Sequence, residues 1–147
     1  MLYKHSSSPF ALLFIRLALG IVFIMHGYDK LFVAGIENTA SFFERLNIPL
    51  PYLNAQLVSN LEFFGGILLV LGLLTRPLAL MFMADMLVAL FTVHLKNGFW
   101  TRDGGYEFVL VLAIVSLALV FSGAGSFSLD RLLFRRKGTP VPSQPFL

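Results

Sequence analysis

Apolar residues run almost unbroken from Pro9 to Lys30, with Arg16 the one interruption before His26. Three further stretches, roughly 55–74, 77–95 and 106–122, are as apolar, and each holds a few polar residues: Glu62, then Asp85 and His94, then Glu107 and Ser116. Stretches of about 20 residues match the roughly 30 Å of a bilayer's hydrocarbon layer. In lipid every backbone N–H and C=O must be paired inside its own segment, so each stretch reads as a helix. The pattern predicts an all-α integral membrane protein, a four-helix bundle running up-down-up-down, as one domain over residues 1–147 with spans at about 9–30, 55–74, 77–95 and 106–122. Arg16 splits the first apolar run and no small-x-small cleavage site follows, so that run reads as an uncleaved span.

The connections carry their own signals. In the first outer loop, Asn38 or Thr39 can cap a short helix with Phe42, Phe43 and Leu46 on an apolar stripe, ended by Pro49 and Pro51. Its expected place is flat on the outer interface. The second outer loop, KNGFWTRDGGYE, mixes turn residues with Phe99, Trp100 and Tyr106, an aromatic belt at headgroup depth. After the fourth span, GAGSFSLDRLLFRRK reads as a turn, a serine cap and a basic amphipathic helix, opening a basic tail over 126–147.

Composition agrees with the pattern: 57% of the 147 residues are hydrophobic and 13% charged, too few polar residues to coat a soluble domain of this length. The net charge of +3 resides largely in Arg131, Arg135, Arg136 and Lys137, a juxtamembrane cluster suited to anionic headgroups and not to nucleic acid. With an N-terminus inside, Lys4, Arg76 and these four face six cations inward against Lys30, Arg45, Lys96 and Arg102 outward. That bias predicts both termini on the cytoplasmic side of the membrane. Cysteine is absent, so the chain runs no thiol-disulfide exchange, and any redox role needs a bound cofactor or a partner.

In such a bundle the end of span 1, the start of span 2, the end of span 3 and the start of span 4 share one side. Those places hold His26 with Lys30, Glu62, His94 and Glu107. These five are the candidate ligand-binding or proton-transfer residues, at an outer mouth of the bundle. His26 and Lys30, four apart, share a helix face, with Lys30 reaching toward water and His26 held inside; Gly27 leaves room for a neighbouring helix. Arg16 and Asp85 fall at similar depth, and pairing is the cheapest way to bury both, so they are expected to form a structural ion pair, with an anionic ligand on Arg16 as the alternative. Asp85 and His94, nine residues apart, lie on opposite faces of a straight helix. No cluster has the spacing of a metal site, and no complete nucleophile or nucleotide motif is present, which leaves enzymatic activity open.

Taken together, HGYDKLF, FFERLNIPLP, LEFFGGILLVLGLLTRPLAL, HLKNGFW, GGYEFVLVL and GSFSLDRLL resemble the DoxX family of small bacterial membrane proteins across nearly the whole chain. The resemblance implies a four-helix membrane fold and an association with redox systems, since the family takes its name from a subunit of an archaeal thiosulfate:quinone oxidoreductase and terminal oxidase system. It carries the family pattern onto His26, Lys30, Glu62, His94 and Glu107, and Arg16 matches a basic position of the first span. Three readings stay open. One is a quinone site, with His26 or Lys30 on a carbonyl and Glu62 or Glu107 moving protons. Another is a non-catalytic subunit anchoring a soluble redox enzyme. The third is a binding or transport protein for a lipid-like or small anionic molecule, in which a homo-oligomer would supply more spans. A haem between His26 and His94 is disfavoured, because His26 lies a turn deeper than its span end and only one such pair exists.

Overall fold

The computed structural model describes residues 9–134, and these contain helices and connections with no strand. Three helices are long and apolar enough to cross a membrane: Phe10–Val33, Pro51–Leu71 and Thr75–Asn97. In detail, α1 (Pro9–Tyr28) runs into a π-helical turn, Asp29–Val33, and α2 (Ile36–Arg45) fills the following loop. Next, α3 (Pro51–Asn60) passes through a second π turn, Leu61–Gly65, into α4 (Gly66–Leu71), and α5 (Thr75–Ala89) ends in a third, Leu90–His94. The apolar α6 (Glu107–Ser122) and the short α7 (Leu129–Phe134) complete the described chain. The expected basic positions Lys4, Arg135, Arg136 and Lys137 lie outside the described residues.

Helix ends follow local chemistry more closely than hydropathy does. The second long helix begins at Pro51, four residues before the apolar run, because Pro51 suits a first turn and Asn54 Nδ2 donates to the Pro49 carbonyl at 2.6 Å. It ends at Gly72, whose φ of +70° permits a Schellman closure: Gly72 N–H to Leu69 O at 3.0 Å and Leu73 N–H to Leu68 O at 2.9 Å. Nothing in the turn caps α5. Its cap comes from far along the chain, where the Asp130 carboxylate accepts from Leu74 N–H at 2.8 Å and Thr75 N–H at 3.0 Å. In the loop, α2 begins earlier than expected. Asn38 and Thr39 do not cap it but lie inside it, bonding back to the Ala34 and Gly35 carbonyls, and Thr39 with Ala40 forms its buried face.

Packing is set by glycines and one aromatic pair. α1 lies along α4 and the second π turn and touches α3 and α6, while α5 lies along α6 and touches α4. Gly20 and Gly66 bring the α1 and α4 backbones together, and Gly27 does the same against Phe63, since a Cβ on any of them would meet backbone within 3 Å. Between α1 and α5 the rings of Phe23 and Phe82 stack at 3.9 Å and 10°, fully buried among Leu19, Leu69 and Leu119. This stack divides the interior into an outer half, toward the α2 loop, and an inner half, toward the 72–74 turn.

A Lys30–Glu62–Asp85 cluster as candidate functional site

Lys30, Glu62 and Asp85 come from three different helices and meet on the outer side of the aromatic stack. Lys30 sits in the first π turn. Side chains lean toward the N-terminus of their helix, so its ammonium points back into the protein, where Nζ donates to Glu62 Oε2. Glu62 sits in the second π turn and is 3% exposed. Asp85, one turn beyond Phe82, is half-buried and stands near enough for the Glu62 carboxyl and the Lys30 ammonium to act on it. Its Oδ2 is buried without a protein partner. Counted from Pro51 and Thr75, Glu62 and Asp85 stand roughly 15 Å along their helices, about half the thickness of the hydrocarbon layer.

Each π turn inserts one extra residue and rotates the downstream side chains about the helix axis, a distortion frequent at functional sites. Here two of the three turns carry members of the cluster. The charge count is two carboxyls to one ammonium: neutral with one proton on the carboxyl pair, and −1 without it. The Lys30 side chain is 23% exposed and Glu62 4%, and Asp85 is half-buried, so the cluster is closed around Glu62 and partly open beside the other two. The expected arrangement, with Lys30 in water and His26 inside, is therefore inverted, because the backward tilt of helical side chains carries Lys30 inward.

His26 is exposed. It lies at the edge of the α1 face that carries Phe23, Gly27 and Lys30. His94 and Glu107 do not join the cluster. His94 Nδ1 bonds the Gly104 carbonyl at 2.8 Å, and Glu107 Oε1 accepts from Thr101 N–H at 3.0 Å, so both lace the second outer loop. The third π turn rotates His94 toward that loop, and Asp85 and His94 serve separate surroundings.

The expected Arg16–Asp85 ion pair does not form. Arg16 leans toward the inner end of α1 and is fully buried there, donating from Nη2 to the Phe127 carbonyl, with Asp130 the carboxylate acting on it. The Phe23–Phe82 stack stands between it and Asp85. The guanidinium packs so closely on Gly72 that a Cβ there would come within 2.8 Å of Arg16 Cζ. Arg16 and Asp130 thus tie α1, the 72–74 turn and the 123–130 segment together. Ser128 adds the expected serine cap, its Oγ accepting from Arg131 N–H at 3.3 Å. Asp130 escapes sequence reasoning because its partners lie 55 and 56 residues away. The signal that could have found it is a two-residue turn, Leu73–Leu74, that offers α5 no capping side chain.

The DoxX family profile matches residues 11–95, a stretch that contains Arg16, Lys30, Glu62 and Asp85. The chain is 33% identical over 133 residues to "Putative oxidoreductase CatD" of Bacillus subtilis, covering 90% of this chain and 94% of that one. It is 32% identical to inner membrane protein YphA of Escherichia coli over 134 residues, 86% of this chain and 92% of the relative. An uncharacterized membrane protein of Mycobacterium tuberculosis, Rv3486, is 32% identical over 142 residues, 90% and 86% of the two chains. No solved structure matches. The apolar helices, the profile and the length-wide similarity to membrane proteins agree: this chain is a membrane protein of the DoxX family.

Proposed function

We propose that the chain is the membrane subunit of a redox system and that Lys30, Glu62 and Asp85 exchange a proton with a quinone or quinol arriving from the bilayer. One observation carries this reading: a partly exposed ammonium, a buried carboxyl and a half-buried one meet at mid-membrane depth, with one carboxylate oxygen unpartnered. A closed structural pair needs only one acid, whereas a third ionisable group at this depth is costly and is by default a functional candidate. The relative named an oxidoreductase supports the class of chemistry. A quinol oxidised here loses two electrons and two protons. The carboxyl pair takes one proton, water beside Lys30 takes the other, and the electrons pass to a redox centre in a partner protein, since the chain has no cysteine. His26, exposed at the edge of the α1 face that carries Lys30, is suited to hold a carbonyl of the entering ring.

In this reading α6 is the fourth span of an up-down-up-down bundle, with both termini cytoplasmic. At 16 residues it is roughly 24 Å long, and Trp100 and Tyr106 anchor its outer end. The test is saturable binding of a short-chain quinone to the protein in liposomes, monitored by fluorescence quenching. Lys30→Met and Asp85→Asn lose it, while Glu107→Gln keeps it. Absence of saturable binding, or equal binding by all three variants, overturns the proposal.

A further inference from the structure

At the inner end, away from the cluster, a groove of about 400 Å³ opens between the start of α5, the end of α6 and the 123–131 segment. Two guanidinium groups belong to it. Arg76 is exposed, and its Nη2 donates to the Phe121 carbonyl at 3.3 Å, while its Nε lies beside Gly123, where a Cβ would come within 3.0 Å. Arg131 is exposed on α7. The acid of the groove, Asp130, has both oxygens engaged by the Leu74 and Thr75 N–H groups and lies near buried Arg16. Among the described residues Arg76 and Arg131 therefore have no carboxylate within ion-pair distance. Leu74, Pro77 and Ala124 supply an apolar wall.

The groove stands where two apolar helices end, which is the headgroup layer. Beside it, Leu132 and Leu133 are 74% and 63% exposed on α7, a surface suited to acyl chains. A ligand fitting this place carries a negative group for two arginines and an apolar body for the wall beneath. We propose that the groove binds the phosphodiester headgroup of an anionic phospholipid. Arginine forks suit phosphate oxygens, and the lipid's glycerol end rests on Leu74 and Pro77. A free phosphate would satisfy the arginines but leave the wall uncovered.

Native mass spectrometry of protein released from nanodiscs of equal phosphatidylglycerol and phosphatidylcholine tests this. The wild type retains phosphatidylglycerol over phosphatidylcholine, and Arg76→Ala and Arg131→Ala each lower that retention by about fivefold. Arg102→Ala, in the outer loop, leaves it unchanged. Lysine at both positions keeps part of the retention, which separates loss of charge from loss of fold, and circular dichroism confirms that each variant is helical. Equal retention of the two lipids, equal retention by wild type and the alanine variants, or displacement of phosphatidylglycerol by inorganic phosphate overturns the proposal. So does retention that appears only after residues 135–147 are removed, because the tail then fills the groove in the full chain.

Discussion

Replacing Gly27 by alanine perturbs the closest approach between α1 and the second π turn, on which the Lys30–Glu62 contact depends. A methyl at position 27 would stand 2.7 Å from Phe63 Cα and 2.8 Å from its Cβ, against about 3.5–4.0 Å for relaxed carbon contacts. The obstruction includes backbone, which cannot swing aside as a side-chain tip can. The two helices must part by roughly 1 Å at this level, and Lys30, less than one turn on, moves with α1. Overpacking of this kind costs about 1–3 kcal/mol, and rigid backbone puts Gly27→Ala at the upper end. Gly20→Ala is expected to cost less, since its nearest backbone atom, the Gly66 carbonyl oxygen, stands at 2.9 Å, farther than Phe63 N stands from a methyl at position 27. Unfolding by SDS titration in mixed micelles, monitored by far-ultraviolet circular dichroism, measures both. A Gly27→Ala protein within about 0.5 kcal/mol of wild type would refute this packing account.

At the inner end, Asp130→Ala removes the cap of α5 and the carboxylate near Arg16. It is expected to destabilise by about 1–2 kcal/mol in the same titration, and less in an Arg16→Met background, where no buried cation is stranded. Equal costs in the two backgrounds would mean that Arg16 and Asp130 act independently. Ser116→Ala is expected to be neutral or to stabilise by up to about 1 kcal/mol, because the hydroxyl is fully buried without a partner; a loss above that size would reveal a bond to Ser116. His94→Ala is expected to speed hydrogen exchange at the Gly104 loop and to leave exchange at α3 and α4 unchanged, since its one bond runs to Gly104. Faster exchange across α3 and α4 would place His94 in the core.

Much of the architecture is legible in hydropathy, because a membrane helix must be both apolar and about 20 residues long. Gly27 marks a helix contact in the sequence itself, whereas the close approach at Gly20 shows only in the structure. The site is legible only in part. Lys30 and Glu62 can be brought to one region by counting span ends, but counting assumes a constant 3.6-residue period, and three π turns break it. Asp85 and His94, nine residues apart, stand on opposite faces of a straight helix and do serve different surroundings. Arg16 and Asp85 fail as a pair for another reason. Their depths along the helices are similar, yet a buried aromatic stack divides the interior between them, and no one-dimensional pattern reveals where two phenylalanines will meet.

The meeting of Lys30 with two carboxyls is tested most directly by a double-mutant cycle on Lys30 and Glu62. Lys30→Met leaves buried Glu62 and half-buried Asp85 without a cation and is expected to cost about 3–5 kcal/mol. Glu62→Met costs less, because Lys30 is partly exposed and its ammonium can turn to water. The double variant is expected to be more stable than the sum of the single losses by about 2 kcal/mol or more. Losses that add to within about 0.5 kcal/mol would mean the two side chains do not interact, and the cluster would not exist as described.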